Sequence, residues 1–328
     1  MARIALVGDI MLGRLVSAQL RKGRRPEICL GNLAALLNAA DGVIANLECA
    51  ITTHHQEWQR TPKVFHFGAD PRAMEVLNAG NVRAVSLANN HILDFEIAGL
   101  NDTLEYLDQA GIAHAGAGRS EAEAFAPARF NLGDVNIALF AVTDNEAPFA
   151  AGSASAGTAY VDLARADGAL RPSAAEIGQA RTAGADLTIL SCHLGPNMVL
   201  EPSAAIRNYR RAAVDVGIDI VHGHSAHVVQ GVERVGHSLL LHDTGDFLDD
   251  YAVEPEMRND LSFVFVIETA CAQLRRLTLV PVSLGCGEVH HANARESDYL
   301  CARTQQLSAK FGTDLFRTAE GLELLLSE

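Results

Sequence analysis

Basic residues are scarce in this chain. Its 328 positions hold 26 lysines and arginines against 40 aspartates and glutamates, for a formal net charge of −14. General binding to nucleic acid or to an anionic membrane needs basic patches, so neither is expected as a partner. An anionic small substrate stays open, because a metal ion can supply the local positive charge. Long apolar runs are also missing. No stretch approaches the ~20 apolar residues that span a bilayer. The opening MARIALVGDIML is interrupted by Gly8 and Asp9 and lacks the regions of a signal peptide. Six cysteines are scattered without a CxxC pair, which fits reduced thiols and a soluble protein of the cytoplasm. Low-complexity tracts are absent, while 48% of the residues are hydrophobic, enough to bury a sizeable core.

Against that background one stretch stands out. Ile220 to Gln230 reads IVHGHSAHVVQ, with His222, His224 and His227 directly after an apolar run that reads as a buried strand. A strand that ends in glycine and runs into closely spaced imidazoles is a common way to hold a metal ion. Partner ligands are then expected at the ends of other strands.

The chain supplies them in order. Arg3 to Val7 is a strand delivering Asp9, Gly42 to Leu47 is a strand ending at Asn46 and Glu48, and Val82 to Leu87 is a strand followed by Asn90 and His91. Helical spacing over Leu30 to Ala39, from Pro71 to Gly80, and over Glu96 to Gln109 alternates with these strands, which implies a parallel sheet with helices on its faces. Ligands in such sheets gather at the carboxyl ends of the strands. Further on, hairpins are expected about Gly133 and Gly236, a strand at Asp186 to Cys192 delivers His193, and Leu261 to Ile267 pairs with Leu274 to Leu284. Residues 144–169 read as a long irregular connection able to cover a site. No linker divides the chain, so a single domain over 1–328 is expected, with a helical extension over about 294–328.

The strand-end set is therefore Asp9, Glu48, Asn90, His193, His224 and His227. Two carboxylates, an amide oxygen and three imidazoles suit one or two divalent ions of the Mn, Zn or Fe type.

Five blocks, GDIMLGR from Gly8, NLECAIT from Asn46, SLANNHILD from Ser86, HLG from His193 and GHSAHVVQG from Gly223, occur in that order. Together they resemble the capsule-biosynthesis CapA (poly-γ-glutamate synthesis) family of the calcineurin-like metallophosphatase superfamily, over about residues 1 to 250. The resemblance implies an α/β fold, a β-sandwich of two mixed sheets flanked by helices in four layers, with a two-metal site at the sheet edge. It implies that Asp9 and His227 hold the first metal, that Glu48 bridges, and that Asn90, His193 and His224 hold the second. His91 matches the proton-donating histidine, with Asp94 to orient it.

Two departures from the family pattern matter. The third residue of the first block is Met11, where relatives carry histidine, so the first site is expected to be weak, differently filled or empty. Gly245-Asp246-Phe247 stands where relatives have Gly-Asn-Phe, and Asp246 adds a negative charge near the site that is either a further ligand or a solvated turn, with the turn preferred. His222 reads as a supporting residue, His54 and His55 as a solvated loop pair, and Cys49 and Cys192 as packing residues. Arg14 is either an anchor for an anionic substrate or a surface arginine. The leading functional expectation is metal-dependent hydrolysis of a phosphoester. The alternatives are CapA-like chemistry on a peptide or poly-γ-glutamate chain (hydrolysis, assembly or epimerisation), or a non-catalytic metal-binding scaffold.

Overall fold

Side-chain alternation decides the layers. In the computed structural model, which describes residues 1–164 and 170–326, the strand Arg3–Ile10 is buried from Ile4 onward. Ile4 and Leu6 point to one face and Ala5 and Val7 to the other, as the period of two requires. Both faces are apolar, so both must be covered.

On one face Ile4, Leu6 and Ile44 meet Leu139, Ile189, Ile220 and Leu241 of a second sheet. On the other, Ala5, Val7, Val43 and Val85 pack against Leu20, Leu77, Leu100 and Leu104 from helices Arg14–Arg21, Ala73–Ala79 and Glu96–Ala110. The outer face of the second sheet carries Phe140, Leu190 and Val221, covered by Ile177 and Ile206 of helices Ala174–Thr182 and Ala204–Asp215. The result is the expected four-layer sandwich, helix–sheet–sheet–helix.

Both sheets are mixed. In the first, Arg3–Ile10 runs parallel to Gly42–Leu47, which runs parallel to Val82–Ser86, while its other edge pairs antiparallel with Leu261–Ala270. In the second, Val135–Thr143, Leu187–His193 and Ile220–His224 are parallel neighbours, with the 128–132 and 232–241 strands closing the edges. The hairpins about Gly133 and Gly236 are present, and both glycines adopt positive φ.

Three element readings are corrected. Of the helix expected over Leu30 to Ala39 only Ala34–Asn38 is helical; a separate short helix, Pro26–Cys29, precedes it, and Gly31 at φ 47° lies between the two. The C-terminal stretch is helical only over Ala294–Ala309, after which Leu322–Leu325 pairs antiparallel with Gln273–Gly285 and extends the first sheet. Leu322 and Leu324 alternate into the core between the sheets, which is why strand pairing overrides the helix-forming leucines there. The connection at 144–169 is partly ordered: Ala147–Phe149 forms a 3₁₀ turn and Gly157–Thr158 pairs with Ala117–Gly118. Its part at 165–169 lies outside the described residues. Among the described residues no helix is long and apolar enough to cross a membrane.

Candidate metal centre

Asp9 and His224 each follow a glycine, and for the same physical reason. A Cβ on Gly8 would meet the Gly245 carbonyl oxygen at 1.9 Å, and a Cβ on Gly223 would meet the His242 carbonyl oxygen at 2.0 Å. Segment 242–246 thus passes against strands of both sheets, and only glycine admits it. Asp9 N donates to Gly245 O at 3.0 Å, and Thr244 N donates to Gly223 O at 2.9 Å. These bonds stitch the sheets together at their strand ends and bring His224 Nδ1 to 3.2 Å from Asp9 Oδ1.

The other donors converge on the same place. His193 and His224 end adjacent parallel strands in direct register. His193 Nε2 lies 3.7 Å and His227 Nε2 3.9 Å from Glu48 Oε1, and His227 Nδ1 lies 3.5 Å from Asp9 Oδ2. His227 sits at φ 57°, a left-handed conformation that turns its side chain back to the strand ends. Asn46 Nδ2 donates to Asp9 Oδ1 at 2.8 Å and lies 3.3 Å from His193 Nδ1. Asn89 Nδ2 donates to Asn46 Oδ1 at 3.1 Å, and Tyr251 Oη donates to Glu48 Oε2 at 3.1 Å. These contacts fix the donors' orientations, as supporting groups around metal ligands do.

Asp246 is not the solvated turn expected of it. It is 1% exposed, stands in parallel register with Asp9, and accepts a hydrogen bond from His227 Nδ1 at 2.8 Å. Met11, in turn, is fully buried in the core, and its sulfur accepts a hydrogen bond from Gly13 N at 3.2 Å. His222 fills the supporting place: its Nε2 lies 3.0 Å from Val7 O, tying one sheet to the other.

The donor set fits a divalent cation. Asp9 Oδ2, Glu48 Oε1, Asn90 Oδ1, His224 Nε2 and Asp246 Oδ2 are buried without a hydrogen-bond partner. Buried polar atoms are ordinarily paired, so the unpaired oxygens of Asp9, Glu48 and Asp246, three members of one cluster, are compatible with a divalent cation. Atoms from Asp9, Glu48, His227 and Asp246 all lie within 4.8 Å of one another.

Protonation reflects the crowding. Burial pushes Glu48 and Asp246 well above the usual carboxylate range. Burial pushes Asp9 upward too, but its contacts with His224 outweigh this and hold it below the usual range. Burial opposes a charged His227, yet the Asp246 and Glu48 carboxylates prevail and raise it well above the ordinary imidazole value. Burial lowers His193 to about 3.

His91 stands beside this centre. Its Nδ1 lies 2.6 Å from Asp94 Oδ2, which also accepts from Phe67 N at 2.7 Å, and the Phe67 ring stacks on the imidazole at 3.9 Å. Lys63 Nζ lies 3.4 Å from Asp94 Oδ1 and donates to Asn90 O at 2.7 Å. Burial and the Lys63 charge push His91 well below its ordinary value, while burial raises Asp94 to about 7. A cavity of about 550 Å³ opens here, lined by Arg14, Lys63, Phe67, His91, His227 and Tyr251 among others. Arg14 is held at its mouth by Asp250, Nε to Oδ1 at 3.2 Å, so the arginine expected as anchor or surface residue borders the site.

His54 and His55 are exposed in their loop, and Trp58 anchors that loop by donating to Thr61 Oγ1 at 2.8 Å and packing edge-on against Phe149. Cys49 and Cys192 are buried beside Glu48 and His193. Asn46, Asn89 and Tyr251 join the centre without having been expected there, and Asp246, expected as a turn, joins it too. Asn46, at a strand end next to Glu48, was the one with a local signal.

Comparison with known proteins agrees with the geometry. The family described as bacterial capsule synthesis protein PGA_cap matches residues 3–251. A probable polyglutamine synthesis accessory protein of Mycobacterium tuberculosis is 30% identical over 292 residues, covering 85% of this chain and 76% of that protein. The capsule biosynthesis protein CapA of Bacillus anthracis is 25% identical over 248 residues, covering 75% of this chain and 59% of that protein. Among solved structures, one described as a novel phosphatase from Mycoplasma pneumoniae superposes with a TM-score of 0.53 at 14% identity, covering 90% of this chain and 96% of that one. That likeness establishes a metallophosphatase-like fold.

Proposed function

The chain belongs to the bacterial capsule synthesis PGA_cap family, and on that footing we propose that it is a metal-dependent hydrolase that cleaves a phosphoester. The observation that carries the reading is the cluster of buried carboxylates with unpaired oxygens around His227, with His227 and His91 both lining one open cavity.

Asp9 and His227 would hold a first ion, Glu48 would bridge, and Asn90, His193 and His224 would hold a second. Divalent ions of the Mn, Zn or Fe type supply water activation and charge neutralisation at phosphorus there. The protein's own residues do the rest. Asp94 holds the His91 ring through Nδ1 and leaves Nε2 as the nitrogen free to exchange a proton with substrate. Burial and the Lys63 charge hold His91 well below its ordinary value, so the imidazole rests neutral beside Asp94, which burial raises to about 7. As charge builds on the leaving oxygen, the His91 Nε2 proton passes to it, and Asp94 delivers its own proton to Nδ1 so that the ring stays neutral. Arg14 offers a guanidinium to a non-bridging oxygen, and Phe67 and Tyr251 shield one side of the cavity from water.

A second reading, favoured by the family itself, is chemistry on a γ-glutamyl or other peptide chain, with Arg14 meeting a side carboxylate. One experiment separates the two. Zinc- or manganese-loaded protein is offered a panel of phosphomonoesters and phosphodiesters, and in parallel γ-glutamyl peptides in heavy water. Phosphate release supports the first reading. Peptide cleavage or deuterium uptake without phosphate release overturns it in favour of the second, and inactivity on both panels with metal bound contradicts both.

A further inference from the structure

The place of Asp246 has a consequence for how the first ion is held. Asp246 is 1% exposed and its two carboxylate oxygens have different surroundings. Oδ1 accepts from His227 Nδ1 at 2.8 Å, which fixes the imidazole with its Nε2 on the Glu48 side. Oδ2 has no hydrogen-bond partner. A buried carboxylate oxygen left unpaired is costly, and a cation bound at this position would offset that cost. Asp246 also stands in register with Asp9 on adjacent parallel strands, so both side chains reach the same strand end. Met11, two residues past Asp9, has its sulfur occupied by Gly13 N and its side chain packed in the core, so it supplies nothing.

We propose that Asp246 is a direct ligand of the first metal ion, joining Asp9, Glu48 and His227 in a site of three carboxylates and one imidazole. One oxygen orients the histidine and the other binds the ion. Such an oxygen-rich site is harder than one built on two histidines, and it favours Mn over softer ions relative to a histidine-rich partner site. The proposal rests on the metal-dependent reading of the centre and is independent of which bond is cleaved.

The test uses Asp246→Asn in the full chain with zinc as probe. Asparagine keeps an oxygen to accept from His227 Nδ1 but removes the anionic donor. If Asp246 is a ligand, calorimetric titration finds zinc binding at the first site weakened by at least about tenfold or lost from the stoichiometry. Unchanged affinity and stoichiometry in Asp246→Asn overturn the proposal while leaving the metal-dependent reading intact, whereas wild-type protein that binds no zinc contradicts both. Zinc-edge anomalous diffraction from wild-type crystals answers the same question without a variant. An ion at bonding distance from an Asp246 oxygen, about 2.1 Å, is expected; an ion bound to Asp9 and Glu48 but beyond reach of Asp246 overturns the proposal.

Discussion

Gly8 and Gly245 meet backbone to backbone, so closely that a Cβ on Gly8 would lie 1.9 Å from the Gly245 carbonyl oxygen. This contact sets the position of Asp9, whose amide donates to the same carbonyl. Gly8→Ala must push the 242–246 segment away. We expect a loss of about 3 kcal/mol in urea unfolding of the metal-free protein, together with weaker metal binding. An unchanged unfolding midpoint would show that the segment yields freely.

His91 and Asp94 are expected to act in turnover and not in holding the ions. His91→Ala should lower kcat by ~100- to 10,000-fold with metal content unchanged. Asp94→Asn should lower kcat less and shift the pH profile, since it leaves the imidazole in place but removes the partner that sets its protonation. Loss of metal in His91→Ala, measured by elemental analysis, would assign the histidine a different role.

Metal binding should release protons. Burial holds Glu48 and Asp246 well above the usual carboxylate range, and neighbouring carboxylates raise His227, so the metal-free centre keeps protons near neutrality. A divalent ion binds only the deprotonated groups. Affinity therefore rises with pH, by about tenfold per unit for each proton displaced. Calorimetry in buffers of different ionisation enthalpy checks this; a binding enthalpy that does not depend on the buffer would mean that no proton is released.

Thiol reactivity should divide the six cysteines sharply. Burial pushes Cys49 and Cys192 up to about 12, and Cys29 and Cys301 are buried as well. Cys271 and Cys286 are exposed. The native protein should react quickly with an aromatic disulfide reagent at these two positions, and at all six after denaturation. Fast labelling of Cys49 in the native state would show the metal centre to be open from behind.

Much of this centre was legible because each local block carries its own physical reason. Gly8-Asp9 and Gly223-His224 advertise a strand end where another backbone passes, and the Asn90-His91 and His193 positions follow apolar runs long enough to read as buried strands. Asp246 was not legible in this way. Its burial comes from pairing with Asp9 across most of the chain, and nothing in Gly-Asp-Phe marks a turn that will be covered. Tyr251 reaches Glu48 by the same kind of distant approach. The C-terminal strand misled for a different reason: Leu322, Leu324 and their neighbours suit a helix by propensity, and the open edge of Gln273–Gly285 makes them a strand.

The central claim, that the strand ends hold divalent cations, is tested most directly by counting them. Wild-type protein loaded with manganese or zinc, passed through a desalting column and analysed for metal, should retain one or two ions per chain, and Glu48→Gln, which neutralises the carboxylate proposed to bridge and whose Oε1 is otherwise unpaired, should retain fewer. Wild-type protein that retains none, or a Glu48→Gln variant that retains as many as wild type, would contradict it.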